Sequence, residues 1–336
     1  MVPTGSTLLN MSISDNPNGA FKLGKLVSFV GDAGMGKTFL YLAMLAEASR
    51  KKRFKDYRLI HDDVESAREI DIEYLFGKNL ANRLESPFDE GGSLTIQDFH
   101  ASIFSLIEEG QPFIYGLDSF DALTSEEELE RMKKVIKARG TGKKEKGSYQ
   151  LETTKGLSAM LKQVVQGLEK TNSLLVIISQ VRENISTLPF APKYRYNGGR
   201  ALKHNASQTI WLQTPAKNSK RRKTIGKKSY QVGVTCKARP TKNRLTGKLR
   251  DVEFPIYYDY GIDDIESTVD YLLEVGAWAK KGQKISTKGF TTKELSKEKL
   301  MQYIENNEME KKLKDTVAGV WGDIENKLKS DRKRRY

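Results

Sequence analysis

The chain has 336 residues and a mass of 38.0 kDa, room for one large domain or two moderate ones at roughly 100–200 residues each. Its apolar fraction is 38%, its charged fraction 30% and its mean hydropathy −0.56; no apolar run nears the ~18 residues that span a bilayer and no basic-then-apolar signal opens the chain, which argues against a membrane or secreted protein and for a cytoplasmic one. One cysteine, Cys236, and three histidines leave no disulfide framework and no multi-cysteine zinc site, while 57 basic against 43 acidic residues, a net charge of +14, call for a polyanionic partner, nucleic acid before mere solubility.

In chain order, residues 26–30 (LVSFV) form a short apolar strand running into a glycine-rich turn, and FLYLAMLAEA after it reads as a helix. RLIH at 58–61 is the next strand, 101–108 a helix, FIYGL at 113–117 a strand and 125–137 a charged helix. The stretch 138–155 is basic and weakly patterned, so it reads as a mobile loop, and helical spacing resumes at 157–170. SLLVIIS at 173–179 is the most apolar strand and belongs in the centre of a sheet. Residues 183–200, with two Pro, two Gly and interleaved aromatic and basic side chains, form a second long loop. Strands follow at 208–213 and 230–236, joined by a basic hairpin tip, and another at 252–258. The predicted fold class is α/β: a mostly parallel twisted sheet flanked by helices, with antiparallel strands at one edge and a small α-rich C-terminal domain. The predicted domains are 1–267 and 268–336, the second ending in a basic tail.

Residues 31–38 satisfy G-x-x-x-x-G-K-[ST] at every fixed position, between an apolar strand and an apolar helix. Gly31, Asp32, Ala33, Gly34, Met35 and Gly36 would wrap backbone N–H groups around phosphates, with the helix N-terminus behind them. Lys37 would reach the β and γ phosphates and Thr38 would ligate Mg²⁺. A second carboxylate on the Mg²⁺ side is needed at the end of another strand, and FIYGLD supplies Asp118. Asp62, Asp63 and Glu65 compete for the role of water-orienting base, since three carboxylates beside a triphosphate cannot all be ionised comfortably. Gln180, at the end of the central strand, is placed to feel a γ-phosphate and relay its presence into the 183–200 loop.

Several segments together resemble the RecA recombinase family: PTGSTLLN at 3–10, the phosphate loop, DVESA at 63–67, LDSFDAL at 117–123, KGLSAM at 155–160, LLVIISQVR at 174–182, GGRALKHNAS at 198–207, VTCKARP at 234–240, EFPIYYDYGID at 253–263 and GAWAKKGQKI at 276–285. The resemblance covers about residues 3–310 and implies a RecA-like P-loop ATPase core. It implies Glu65 as the catalytic glutamate, with Asp63 second, and Gln180 as the nucleotide-sensing glutamine. It implies that Lys237 and Arg239, two apart on a strand and so on one face, reach the neighbouring subunit's ATP. Only two residues precede the opening segment and the tail DRKRRY is basic where RecA's is acidic; the expectation is a filament contact made differently or a weaker assembly, no acidic restraint on DNA binding, and a phage-encoded member in a bacterial host.

The resemblance also places 138–155 and 183–200 near a filament axis. Lys143, Lys144, Lys146, Lys155, Lys193, Arg195 and Arg200 suit backbone phosphates, and Phe190, Tyr194 and Tyr196 offer faces to bases, at ~1–3 kcal/mol per stacked base. The implied function is a DNA-dependent ATPase that binds single-stranded DNA cooperatively and promotes pairing and strand exchange, with ATP and Mg²⁺ as cofactors, single- and double-stranded DNA as partners, and a helical filament or a ring as its homo-oligomer. A hexameric helicase-type motor and an ATP-gated recombination mediator are the alternatives. His61, His100 and His204 share no ligand spacing, and Cys236 reads as a buried strand residue.

Overall fold

A computed structural model of the chain describes residues 1–65, 70–89, 91–138, 151–183, 194–196, 199–216 and 219–332. In order, the elements are α1 (Thr7–Ser14), β1 (Lys25–Gly31), α2 (Lys37–Ser49), β2 (Arg58–Asp63), α3 (Ile72–Phe76), α4 (Lys78–Ala81), β3 (Leu84–Glu85), α5 (Ile96–Glu109), β4 (Phe113–Asp118), α6 (Glu126–Ala138), α7 (Leu151–Lys170), β5 (Leu174–Glu183), β6 (Tyr194–Tyr196), α8 (Gly199–Asn205), β7 (Gln208–Gln213), β8 (Lys220–Ile225) and β9 (Lys228–Asn243). They continue with β10 (Val252–Tyr257), β11 (Gly261–Ile262), α9 (Asp264–Glu274), β12 (Ala279–Lys281), β13 (Lys284–Ser286), β14 (Leu295–Ser296), α10 (Lys297–Asn306) and α11 (Glu310–Lys327). Two compact units result, residues 22–213 with 239–245, and residues 1–21, 214–238 and 246–336. The boundary expected after residue 267 falls inside α9.

The first unit has a parallel sheet in the order β7–β1–β5–β4–β2–β3, with β6 antiparallel on the end of β5. β5 is apolar and buried from Leu174 to Ile178, as a central strand covered on both faces must be. Helices α5 and α7 contribute Phe99, Ile103, Leu161 and Val164 to a core shared with Phe113, Tyr115, Leu175 and Ile177 of the sheet. Gly116 is dictated by packing: a Cβ there would lie 2.2 Å from the ring of Tyr41, whose hydroxyl donates to the Ile60 carbonyl at 2.6 Å. Burial first, then the Asp118 and Asp62 carboxylates, push the Tyr41 phenol well above its ordinary value.

The second unit joins β8, β9, β10 and β11 in antiparallel order, with α1, α9, α10, α11 and a small β12–β13–β14 sheet. Trp278 and Phe290 meet at 5.3 Å, and Tyr271 and Trp321 at 5.7 Å. Cys236 is buried opposite Phe254 on β10. Asp263 caps α9, accepting from the Glu266 N–H at 2.7 Å. Burial, then the Glu266, Glu305 and Asp264 carboxylates, push its carboxyl up to about 6. Between pH 4 and pH 6 the folded chain therefore holds a proton that the unfolded chain has lost, so stability falls as pH rises through that window. Asp263→Asn keeps a good cap; the variant should match the parent near pH 4 and exceed it by roughly 2–3 kcal/mol at pH 7, the worth of about two pKa units. Urea unfolding at the two pH values measures this, and an equal gap at both would refute it.

The mixed α/β class with a mostly parallel sheet is the one expected, but several local readings need correction. Residues 151–155, within the stretch expected to be a loop, are the first turns of α7, so Lys155 stands on a helix. Part of the 183–200 loop is ordered: β6 pairs Tyr194 with Glu183 and Tyr196 with Val181, and α8 already starts at Gly199. The basic hairpin tip is itself a strand, β8, paired with β9. α5 begins at Ile96, not 101, because Thr95 and Asp98 form a reciprocal capping box. The second unit carries a three-stranded sheet within a region read as helical. Among the described residues no helix is long and apolar enough to cross a membrane.

Candidate nucleotide-binding site

Parallel strands bring their carboxyl ends to one edge of the sheet, which is where open α/β sheets bind ligands. Register makes this concrete: Gly31 lies beside Gln180 and Asp63 beside Asp118. Gly31 is held by the sheet, since a Cβ there would fall 2.3 Å from the Leu212 carbonyl oxygen. Gly34 and Gly36 take left-handed backbone angles, φ 72° and 81°, and the space around a Cβ at Gly34 is open. Asp32, Ala33 and Gly34 are exposed and Met35 half-buried above the start of α2. An exposed, left-handed turn on a helix N-terminus, with open space over it and an amine beneath, fits a chain of phosphates.

The Lys37 side chain is only 7% exposed, and its amine donates to the carbonyls of Gly31 at 2.9 Å and Asp32 at 2.7 Å. Burial lowers its pKa, opposed by the charges of Asp118, Glu65, Asp32 and Asp121. Thr38 Oγ1 donates to Asp118 Oδ2 at 2.5 Å, and His61 Nε2 stands 3.5 Å from the same oxygen. A hydroxyl and a carboxylate so placed are hard oxygen donors that fit Mg²⁺.

The three acids expected near 62–65 separate cleanly. β2 runs on through Asp63, two residues beyond the predicted end. Asp62 is fully buried and accepts from the Ser93 N–H and Ser93 Oγ, both at 2.7 Å, and from the Tyr115 hydroxyl at 2.5 Å. It is a structural acceptor. Asp63 is 6% exposed beside Asp118, whereas Glu65 is exposed at the mouth of the cavity lined by Thr38, His61, Asp63 and Asp118. Glu65 Oε1 accepts from Ser119 Oγ at 2.5 Å and from Gln180 Nε2 at 2.9 Å. Asp121 in turn accepts the Gln180 backbone N–H. Gln180 is thus a direct partner of Glu65 across 115 positions, a link with no trace in local sequence.

With this geometry fixed, the family model of the RecA N-terminal domain matches residues 1–263. The chain belongs to the RecA family. Protein RecA of Helicobacter hepaticus is 27% identical over 284 residues, 82% of this chain and 73% of that one. Protein RecA of Caulobacter vibrioides is 27% identical over 282 residues, 84% and 70% of the two chains. Protein RecA of Aquifex pyrophilus is 26% identical over 336 residues, 97% and 86% of the two chains.

In this RecA-family chain one of the basic pair expected to act across subunits, Lys237, has acidic partners within the chain. Lys237 forms ion pairs with Asp251 at 3.3 Å and Glu253 at 4.0 Å, the latter directly opposite it on β10. Arg239 is exposed. The same spacing recurs five residues on, in Lys242-Asn243-Arg244. Lys242 Nζ donates to the carbonyls of Lys203 at 2.7 Å and His204 at 2.9 Å, and Arg244 Nη2 to His204 at 3.0 Å. Both cations sit on carbonyls at the end of α8, where a helix dipole favours positive charge. Burial, then the charges of Arg244 and Lys203, push the Lys242 amine down to about 8. The repeat of Lys-x-Arg is visible in the sequence, but only the fold shows that its two copies have different partners. Lys143, Lys144, Lys146, Phe190 and Lys193 lie outside the described residues. Tyr194, Arg195 and Tyr196 are on β6 and Arg200 on α8.

Proposed function

We propose that the chain is a recombinase of the RecA type: a DNA-dependent ATPase that assembles on single-stranded DNA and promotes homologous pairing and strand exchange. The observation that carries the reading is the convergence of Lys37, Thr38, Asp118, Glu65 and Gln180 at the carboxyl ends of adjacent parallel strands. In this reading the loop from Gly31 to Gly36 cradles the phosphates of ATP. Lys37 exchanges its two carbonyl acceptors for phosphate oxygens. Thr38 and Asp118 hold Mg²⁺, which when bound screens the negative charge of the phosphates. Glu65 orients the attacking water and accepts its proton, held in place by Ser119 and Gln180. Gln180 ties the nucleotide state to β5, which continues to Glu183 and the DNA-binding loop.

A second reading of the cross-subunit cations is favoured by the ion pairs of Lys237. Lys242 and Arg244 rest on neutral carbonyls that a phosphate can replace, whereas Lys237 is already neutralised by carboxylates. Lys242→Ala and Arg244→Ala should each lower DNA-stimulated hydrolysis by about 10²-fold, the order found for a lost donor to developing charge, with Lys237→Ala costing far less. The reverse ranking of rates would restore Lys237 and Arg239.

The function itself is tested by ATP turnover with and without single-stranded DNA, beside electron microscopy with a non-hydrolysable analogue. Filaments and DNA-stimulated turnover support the reading. Closed rings that unwind forked duplex, or DNA binding without turnover, would replace it with the motor or the mediator.

A further inference from the structure

One residue of β2 is out of character. The strand is paired with β4 over Arg58–Asp63 and buried from Leu59 onward, and a covered strand of a parallel sheet reads as apolar. His61 nevertheless stands within it, 3% exposed. Its surroundings hold the ring in place. Opposite it on β4 is Gly116, whose missing side chain admits the Tyr41 ring. The rings of His61 and Tyr41 lie 5.8 Å apart, and Tyr41 is itself fixed by its bond to the Ile60 carbonyl. His61 and Asp63, two apart on a strand, point to one face, and both line the cavity shared with Thr38 and Asp118. His61 Nε2 stands 3.5 Å from Asp118 Oδ2, the oxygen that also accepts from Thr38.

A buried imidazole costs free energy unless a partner answers it, and packing alone would be served by Phe or Leu. We propose that His61 is a positioning residue for Mg²⁺: through its Nε2–H it donates to Asp118 and sets the direction in which that carboxylate presents its oxygens. Mg²⁺ takes oxygen ligands, so His61 acts through Asp118 and not on the ion. A separation of 3.5 Å is long for such a bond, and bonds of this kind tighten when the site fills. A donor behind a metal-binding carboxylate is worth about 10–100-fold in metal affinity. The inference deepens the nucleotide-site reading and rests on Thr38 and Asp118 as the Mg²⁺ side of that site.

The test uses the full chain and a fluorescent, non-hydrolysable ATP analogue, titrated with Mg²⁺ and, separately, bound in EDTA. His61→Phe keeps a ring against Tyr41 and loses the donor. It should need about 10–100-fold more Mg²⁺ for half-maximal binding, with binding in EDTA equal to that of the parent. His61→Gln carries an amide nitrogen near the position of Nε2 and should return the Mg²⁺ requirement toward the parent value. Should His61→Phe not fold, His61→Leu enters the same comparison with His61→Gln. An unchanged Mg²⁺ requirement in the Phe or Leu variant would overturn the inference. So would an equal loss of binding with and without Mg²⁺, which marks a packing residue, or a Gln variant as poor as the Phe one. Binding that ignores Mg²⁺ in the unaltered chain would fault Thr38 and Asp118 as the Mg²⁺ side, and the role of His61 falls with it.

Discussion

Lys37→Ala should lower ATP turnover by about 10²–10³-fold or more, the order found when one preorganised donor to developing charge is removed, while the protein remains folded. The amine donates to two loop carbonyls, Gly31 and Asp32, and burial already disfavours its charge. Removing it relieves a buried cation and leaves two carbonyls beside an exposed loop that water can reach. Thermal unfolding without nucleotide should therefore change little. The upward shift that ATP gives to the parent, RT ln(1 + [L]/Kd), should shrink or vanish. A variant that keeps its turnover would dismiss the phosphate loop as the nucleotide site. One that unfolds at markedly lower temperature without nucleotide would show that Lys37 is structural.

Glu65→Gln should leave ATP binding close to that of the parent and cut hydrolysis by about 10²–10⁴-fold, the range for a lost general base. The substitution conserves shape and keeps an oxygen for the Ser119 hydroxyl and the Gln180 amide. What it loses is the basic oxygen. Asp63→Asn is the control, since Asp63 lines the same cavity but is buried next to Asp118. Single-turnover hydrolysis with pre-bound ATP separates the chemical step from binding. If Asp63→Asn stops that step and Glu65→Gln does not, the base is Asp63.

Long apolar strands and the phosphate loop were legible in the sequence because each is dictated locally. β5 is a run of apolar residues, and the loop is a contiguous motif. What was not legible depends on partners distant in the chain. KRRKTI has no apolar alternation, yet it is a strand because β9 offers it a ladder. Residues 151–155 (LETTK) contain two Thr and read as loop, but they extend a helix whose later turns are buried against the sheet. Asp62 and Asp63 look equivalent on paper; only Ser93 and Tyr115, far along the chain, tell them apart. The start of α5 is a different kind of miss. Its capping residues Thr95 and Asp98 stand in plain sight and set the helix start, ahead of the point where apolar spacing alone places it.

The position of Gly31 changes how such a motif is to be weighed. Its side-chain space is taken by a carbonyl of the adjoining strand, so architecture demands a glycine there whether or not any nucleotide is ever held. A descendant of this chain that had abandoned ATP would still need that first letter to close its sheet. The diagnostic power of the pattern thus resides in Gly34, where the space is open, and in Lys37 and Thr38, an amine on exchangeable acceptors and a hydroxyl beside Asp118. A degenerate relative retaining the first glycine and lacking the lysine is best judged as a scaffold with the same fold, its lost chemistry visible in the letters that packing leaves free.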